Sequence, residues 1–125
     1  NEVNMNTMKL NYEALRQVML TVQDKSLNPN PIEIVNDVTE KGFTQSDASY
    51  ALKQAIDSKL IDGKAEADLS GMLYFVVQDI TPDGHKFIDS ISAEEPWAKV
   101  KQVLKEEGIP TTIPSISRTI AKLFF

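Results

Sequence analysis

His85 is the only histidine in the chain, and there is no cysteine. The nucleophiles, bases and metal ligands on offer are therefore few. No second histidine exists for a zinc pair, and no thiolate exists for a Cys–His couple. A Ser-His-Asp arrangement needs a geometry that spacing alone does not supply. His85 follows Gly84 in the first turn of a predicted helix, where it is expected to pack or hydrogen-bond between that helix and the hairpin before it. The carboxylates Glu33 and Asp37, and likewise Asp79 and Asp83, stand four residues apart. General acid–base work would need burial and opposed pKa values. Both pairs lie near helix starts, where acids complement the positive helix end. The five glycines are widely spaced and form no phosphate-cradling loop. The expectation is a protein without catalytic, metal-binding or cofactor-binding residues.

The remaining chemistry is recognition. Ser46, Tyr50, Lys53, Gln54 and Asp57 fall on the polar side of a predicted helix. Its other side is Ala48, Ala51, Leu52, Ala55, Ile56 and Leu60. Inserted in a major groove, Ser46, Tyr50, Lys53 and Gln54 would meet base edges and phosphates, with Lys64 adding a contact from the hairpin. Asp47 and Asp57 would be repelled by phosphate. A solvated polar face of this kind is also what any surface helix carries.

These residues need particular elements to hold them. Asn11 caps a first helix whose apolar positions are Ala14, Leu15, Val18, Met19 and Val22. The stretch from Asp24 to Asn30 is a loop, and Pro31 opens a second helix with Ile32, Ile34, Val35 and Val38 on its apolar side. Lys41-Gly42 ends that helix. Thr44 caps the third, Asp47 suits the third position of a capping box, and Phe43 can staple onto Ala48. Asp62-Gly63 is read as its stop. Two strands, Lys64 to Asp68 and Met72 to Gln78, then form a hairpin around Leu69-Ser70-Gly71. Thr81 caps a fourth helix from Pro82 to Ser90 or Ser92. A fifth starts at Glu94-Glu95-Pro96, with Pro96 near its first position and Trp97, Val100, Val103 and Leu104 facing inward, and Gly108 ends it. Residues 109–114 are extended, and Ser115 to Phe125 is a final amphipathic helix.

This order of helix, helix, helix, hairpin and helix is how a winged helix-turn-helix domain is built. The fold class read from the sequence is α+β, mainly α, with a two-stranded wing and extra C-terminal helices. Residues 1–7 form a flexible N-terminal segment, with Met5 and Met8 as natural starts. The winged-helix domain is 8–92. Residues 93–125 are a helical extension that packs on the domain or on a dimer partner, since an exposed Leu123-Phe124-Phe125 end favours a dimer.

Among 125 residues, 42% are hydrophobic, enough for one globular domain with a real core. The lack of cysteine fits a reducing cytoplasm, and neither a signal peptide nor a membrane-spanning run is evident. Net charge is −5. From Trp97 onward five basic residues face two acidic ones, +3, which leaves −8 on residues 1–96. A nucleic-acid binder draws much of its affinity from cations facing phosphates. Here the head is acidic, and the hairpin tip carries Glu66 and Asp68.

Lys9-Leu10-Asn11-Tyr12-Glu13-Ala14-Leu15-Arg16 resembles the opening of an uncharacterised bacterial and phage family, a domain of unknown function. Ile80-Thr81-Pro82-Asp83-Gly84-His85-Lys86-Phe87-Ile88 is similar to that family's Leu-Thr-x-x-Gly-His-x-Phe-Leu pattern, with Ile80 in place of Leu. Trp97-x-x-Val100-Lys101 and Ile116 to Leu123 also look similar, so the likeness spans about Met8 to Leu123. More distantly the chain resembles the YjcQ-like winged-helix phage proteins. The resemblance implies a winged-helix fold and a home in prophages, and brings no activity or site residues.

Two functions follow as expectations. One is a non-enzymatic, prophage-type transcriptional regulator that binds double-stranded DNA as a dimer through Ser46, Tyr50, Lys53, Gln54 and Lys64. The other is a protein–protein interaction module that uses the same scaffold without DNA, docking another regulatory protein.

Overall fold

The computed structural model describes residues 9–110 and 112–124. The segment 1–7, both proposed starts Met5 and Met8, and the terminal Phe125 lie outside the described residues. The described elements run α1 (Tyr12–Gln23), α2 (Pro31–Glu40), α3 (Gln45–Asp57), β1 (Ile61–Ala67), β2 (Leu73–Ile80), α4 (Pro82–Ile91), α5 (Glu94–Glu106) and α6 (Ile113–Phe124). The chain is thus α+β and mainly helical, with an antiparallel hairpin following three helices in a winged-helix layout.

Helix starts follow the sequence signals. Asn11 Oδ1 accepts from the Glu13 and Ala14 N–H groups, and Asn30 Oδ1 from Ile32 N–H. Thr44 and Thr81 hydroxyls accept from the Asp47 and Gly84 N–H groups. Each satisfies a donor that the first helical turn leaves without a partner. Asp47 also ties α3 to α1, because its carboxylate accepts from Asn11 Nδ2 at 3.2 Å.

Helix ends depart from expectation. α3 stops at Asp57, well before Asp62-Gly63. Lys59 turns left-handed at φ 65°, Leu60 N–H bonds the Ala55 carbonyl, and Lys59 N–H bonds Ile56. This is a Schellman ending on a residue with a Cβ, where glycine is the usual signal. Asp62 and Gly63 belong instead to β1, at the one register shift of the hairpin. The strands therefore begin and end differently from Lys64–Asp68 and Met72–Gln78. Pro96 is the third residue of α5 rather than its first. α6 starts at Ile113, since Thr112 supplies the cap by accepting from Ser115 N–H. Pro114 then sits in the first turn, where a missing N–H costs nothing.

One apolar cluster joins all of these elements, and it contains Ala48, Ala51, Leu52, Ala55 and Ile56 of α3 along with Trp97, Ile116 and Ile120. Ile32 does not join it; this side chain is 69% exposed. Phe124 remains over one-third exposed at the end of α6.

Two joints fix the arrangement. At the first, Thr81 donates its N–H to the Leu60 carbonyl at 3.1 Å and its hydroxyl to Lys59 at 2.6 Å, closing the base of the hairpin. Gly84 packs so tightly there that a Cβ would lie 2.0 Å from the Leu60 oxygen and 2.7 Å from Ile80 Cγ2. His85, expected to pack between helix and hairpin, is exposed. The close approach is made by its glycine neighbour, because a helix presents successive residues on different faces.

At the second joint, the α1 motif meets the α5 motif. Glu13 accepts from the buried Trp97 indole at 2.9 Å and from Lys101 Nζ at 2.6 Å. Tyr12 meets the Trp97 ring edge-on at 5.8 Å, and Arg16 donates to the Ile91 and Ser92 carbonyls at 2.8 and 2.7 Å. Helix α5 and the end of α4 are thereby bolted to α1. Burial pushes the Glu13 carboxyl up, but the bonds from Lys101 and Trp97 and the charges of Lys101 and Arg16 outweigh it and hold the pKa below the ordinary glutamate value.

Gly84→Ala is expected to destabilise the fold by on the order of 3 kcal/mol, because backbone must shift to admit the methyl group. His85→Ala should change stability by under about 0.5 kcal/mol. Urea unfolding of both variants checks the pair. Because the folded pKa of Glu13 is depressed, its stabilisation is complete above the unfolded pKa and is lost as pH falls through the folded one. The stability gap between the wild type and Glu13→Gln, read by thermal melts across pH, should therefore be open at neutral pH and close in acid.

Candidate functional site

The third helix positions the residues expected to read DNA, and it does not treat them alike. Ser46 is exposed in the first turn. Tyr50 is half-buried and packs against the core, so its ring serves as much to support α3 as to extend from it. Gln54 is half-buried one turn further on. Lys53, beside it, ion-pairs with Asp57 at 2.6 Å. Lys64 is exposed on β1, opposite Val76 and between Asp62 and Glu66 in the chain. Four of the five thus lie along one side of α3, while Lys64 stands on the separate ribbon.

Two further lysines are similarly engaged. Lys25 pairs with Asp37 at 2.8 Å, and Lys101 with Glu13. The Asp37 hydrogen bond raises the Lys25 pKa, helped by the charges of Asp37, Glu33 and Asp24 and opposed by desolvation. Helix α5 packs on α4 and α6. Helix α6 approaches α3 at its far end: with α4 and the α3–β1 turn it lines a groove of about 560 Å³ bordered by Ser58, Leu60, Phe87, Ile113, Pro114 and Ile120. That end is remote from Ser46.

The wing carries acidic and exposed apolar side chains. Its tip is a turn braced by Asp68, whose Oδ1 accepts from the Ser70 hydroxyl at 2.6 Å and from the Ser70 and Met72 N–H groups at 2.9 Å. Gly71 supplies the positive φ, 88°, that this turn requires. Leu69 and Met72 project into solvent at the tip. Along β2, Tyr74 and Val76 are about half exposed at 50% and 49%. Tyr74 donates its hydroxyl to Glu66 Oε1 at 3.0 Å, and that bond raises the phenol pKa above its usual value.

Between the wing and the helices lies a second groove of about 350 Å³. One wall is Leu73, Tyr74 and Phe75 of β2; the other is Asn30, Pro31 and Ile32 at the start of α2, and Gln45 and Ser49 of α3 reach its floor. Sequence reasoning missed this groove. Ile32 was placed with the apolar face of α2, and only its exposure in three dimensions reveals it as part of a surface. The signal available was the apolar run Met72 to Val77, longer than a strand needs to bury one face.

The carboxyl of Asp68 is held below the ordinary aspartate pKa, first by the Ser70 hydroxyl and then by backbone N–H groups led by that of Met72, against desolvation. Its bracing of the turn should therefore persist below the unfolded pKa and fail only as pH drops through the lower, folded one. NMR shifts of the Ser70 and Met72 amides across an acid titration check this; a midpoint at or above the ordinary aspartate value would contradict it.

Neither the curated proteins nor the solved structures searched include a match to this chain. A family model described as Hypothetical protein (DUF2513) matches residues 9–110. That span runs from the α1 motif through the hairpin, the Gly84 joint and the Trp97 helix, which is more than half of the chain. The elements whose mutual packing has just been described are those of one uncharacterised family, and the chain belongs to DUF2513.

Proposed function

We propose that this is a non-enzymatic winged-helix protein whose task is to dock another protein, using the face formed by β2, the start of α2 and the first half of α3. The observation that carries the reading is exposed apolar surface on the wing and its flank: Ile32 borders the groove, and Leu69, Met72, Tyr74 and Val76 stand in solvent on the wing. Exposed apolar residues gathered on one side and rimmed by polar groups mark an interaction surface. The charge agrees. The hairpin Ile61–Ile80 carries Asp62, Glu66, Asp68 and Asp79 against Lys64 alone, and α2 carries Glu33, Asp37 and Glu40 with no lysine or arginine. Phosphate would be repelled by such a rim, whereas a polypeptide with cationic side chains would be attracted.

A prophage-type transcriptional regulator that binds DNA is the second reading. It is favoured by one observation: Ser46, Lys53 and Gln54 follow one side of α3, as a groove-reading helix requires. Against it stands the engagement of Lys53 with Asp57.

The two readings part on two measurements. Fluorescence anisotropy with a random duplex at low salt should show no binding, since nonspecific affinity for DNA is electrostatic. A protein captured from the host with the full chain as bait, then purified, should bind by calorimetry and lose at least about tenfold in affinity with Ile32→Asp, while the circular dichroism of that variant stays native. Duplex binding with a steep salt dependence would replace docking by the DNA reading.

A further inference from the structure

The hairpin is a sheet of two strands, and its two edges are different. β1 packs beside α3 and carries Lys64 and Glu66, charges of the kind that discourage another strand from pairing. β2 has neither lysine nor proline along Leu73-Tyr74-Phe75-Val76-Val77. Register places Ala67 opposite Leu73 and Ala65 opposite Phe75, and the Asp68 N–H bonds the Met72 carbonyl at 2.9 Å. Bonded and non-bonded pairs alternate in an antiparallel ladder. Glu66–Tyr74 and Lys64–Val76 are then the bonded pairs, and the N–H and C=O groups of Leu73 and Phe75 point away from β1. Among the described residues, one backbone bond reaches β2 from outside the hairpin: the Asn28 N–H, on a left-handed residue, donates to the Gln78 carbonyl at 2.9 Å. The loop between α1 and α2 thus touches the strand once, near its end, and leaves the edge at Leu73 and Phe75 open beside the groove.

We infer that this edge takes up an extended segment of a partner protein as a third strand, and that the segment alternates apolar with Lys or Arg side chains. The inference rests on the docking reading above and names its mode and chemistry. Strand addition supplies main-chain hydrogen bonds to Leu73 and Phe75, while alternate side chains enter the groove. Ile32, Leu73 and Phe75 offer the apolar contacts there. The opposite side of such a strand would lie on the face that carries Glu66 beside Tyr74, on a hairpin with four carboxylates to one lysine, which selects for cations. A second copy of this chain is a poor occupant on the same ground, because each copy brings the acidic rim and a net charge of −5.

The test uses the full chain, labelled for NMR, with an acetylated and amidated peptide of about eight residues that alternates Lys and Val. Expected is a slowing of hydrogen exchange at the Leu73 and Phe75 amides by at least about tenfold. The same peptide N-methylated at alternate residues, and one with Glu for Lys, should each bind at least about tenfold more weakly. Leu73→Pro removes an outward N–H without touching the ladder to β1, which an edge strand tolerates, and should weaken binding to a similar degree. Should Leu73→Pro fail to fold, Ile32→Lys carries the test, since it places a like charge at an exposed position. No slowing at Leu73 and Phe75 with peptide at about 1 mM overturns strand addition, as does undiminished binding of the N-methylated peptide. Protection that appears with rising protein concentration alone would assign the edge to a second copy and overturn it too. None of these results bears on whether a captured partner depends on Ile32, so docking can stand where strand addition falls.

Discussion

The Leu60 carbonyl is the point on which the geometry of the face depends. It accepts from the Thr81 N–H, the Thr81 hydroxyl stands 3.2 Å from it, and Gly84 passes close enough to exclude any side chain. Two connections of the chain are pinned together there, from α3 into the hairpin and from the hairpin into α4. A hairpin of two strands is marginal by itself and needs packing to hold a direction. Pinned at its base and laid against α3, the wing becomes a fixed wall of a groove.

The Trp97 joint does the same for the rest of the molecule. Glu13, Tyr12 and Arg16 lie within about one turn on α1, so a single helical face binds the α5 indole, the Lys101 ammonium and the carbonyls where α4 ends. Carboxylate and guanidinium groups used in this way are bonded to charged or buried partners, which makes each contact stronger than a neutral hydrogen bond. They are also unavailable for chemistry. The same is true of Lys53, Lys25 and Asp68, each engaged within the fold. Among the described residues the wing side presents mainly apolar surface and carboxylate, with Lys64 the one cation of the hairpin, and this combination is the basis of a reading as a docking protein.

Much of the fold was legible because its signals are local. Asn11, Asn30, Thr44 and Thr81 precede helices and cap them, with proline in the first turn at Pro31 and Pro82. The apolar stripe of α3 is buried as its period requires. The signals failed where a residue acted against type. Lys59 took the left-handed conformation usually held by glycine, so the end of α3 and the start of β1 were displaced in the reading. Thr112 capped a helix that starts at Ile113, inside the stretch 109–114 expected to be extended. In the Gly84-His85 pair the residue with chemistry drew notice, although the residue without a side chain makes the contact.

The sequence by itself determined the elements, their order, the acidic head and the absence of thiol chemistry. These depend on residue type, on spacing along one segment and on summed charge, all of which are properties of a string. Only the tertiary structure decided that Glu13 meets Trp97 and Lys101, that Lys53 spends its charge on Asp57, and that Ile32 faces Leu73 and Tyr74 across a groove. Those pairings join residues up to 88 positions apart, or choose one rotamer among several. Such choices are made by the packing of whole helices against one another, and periodicity within a helix carries no record of them.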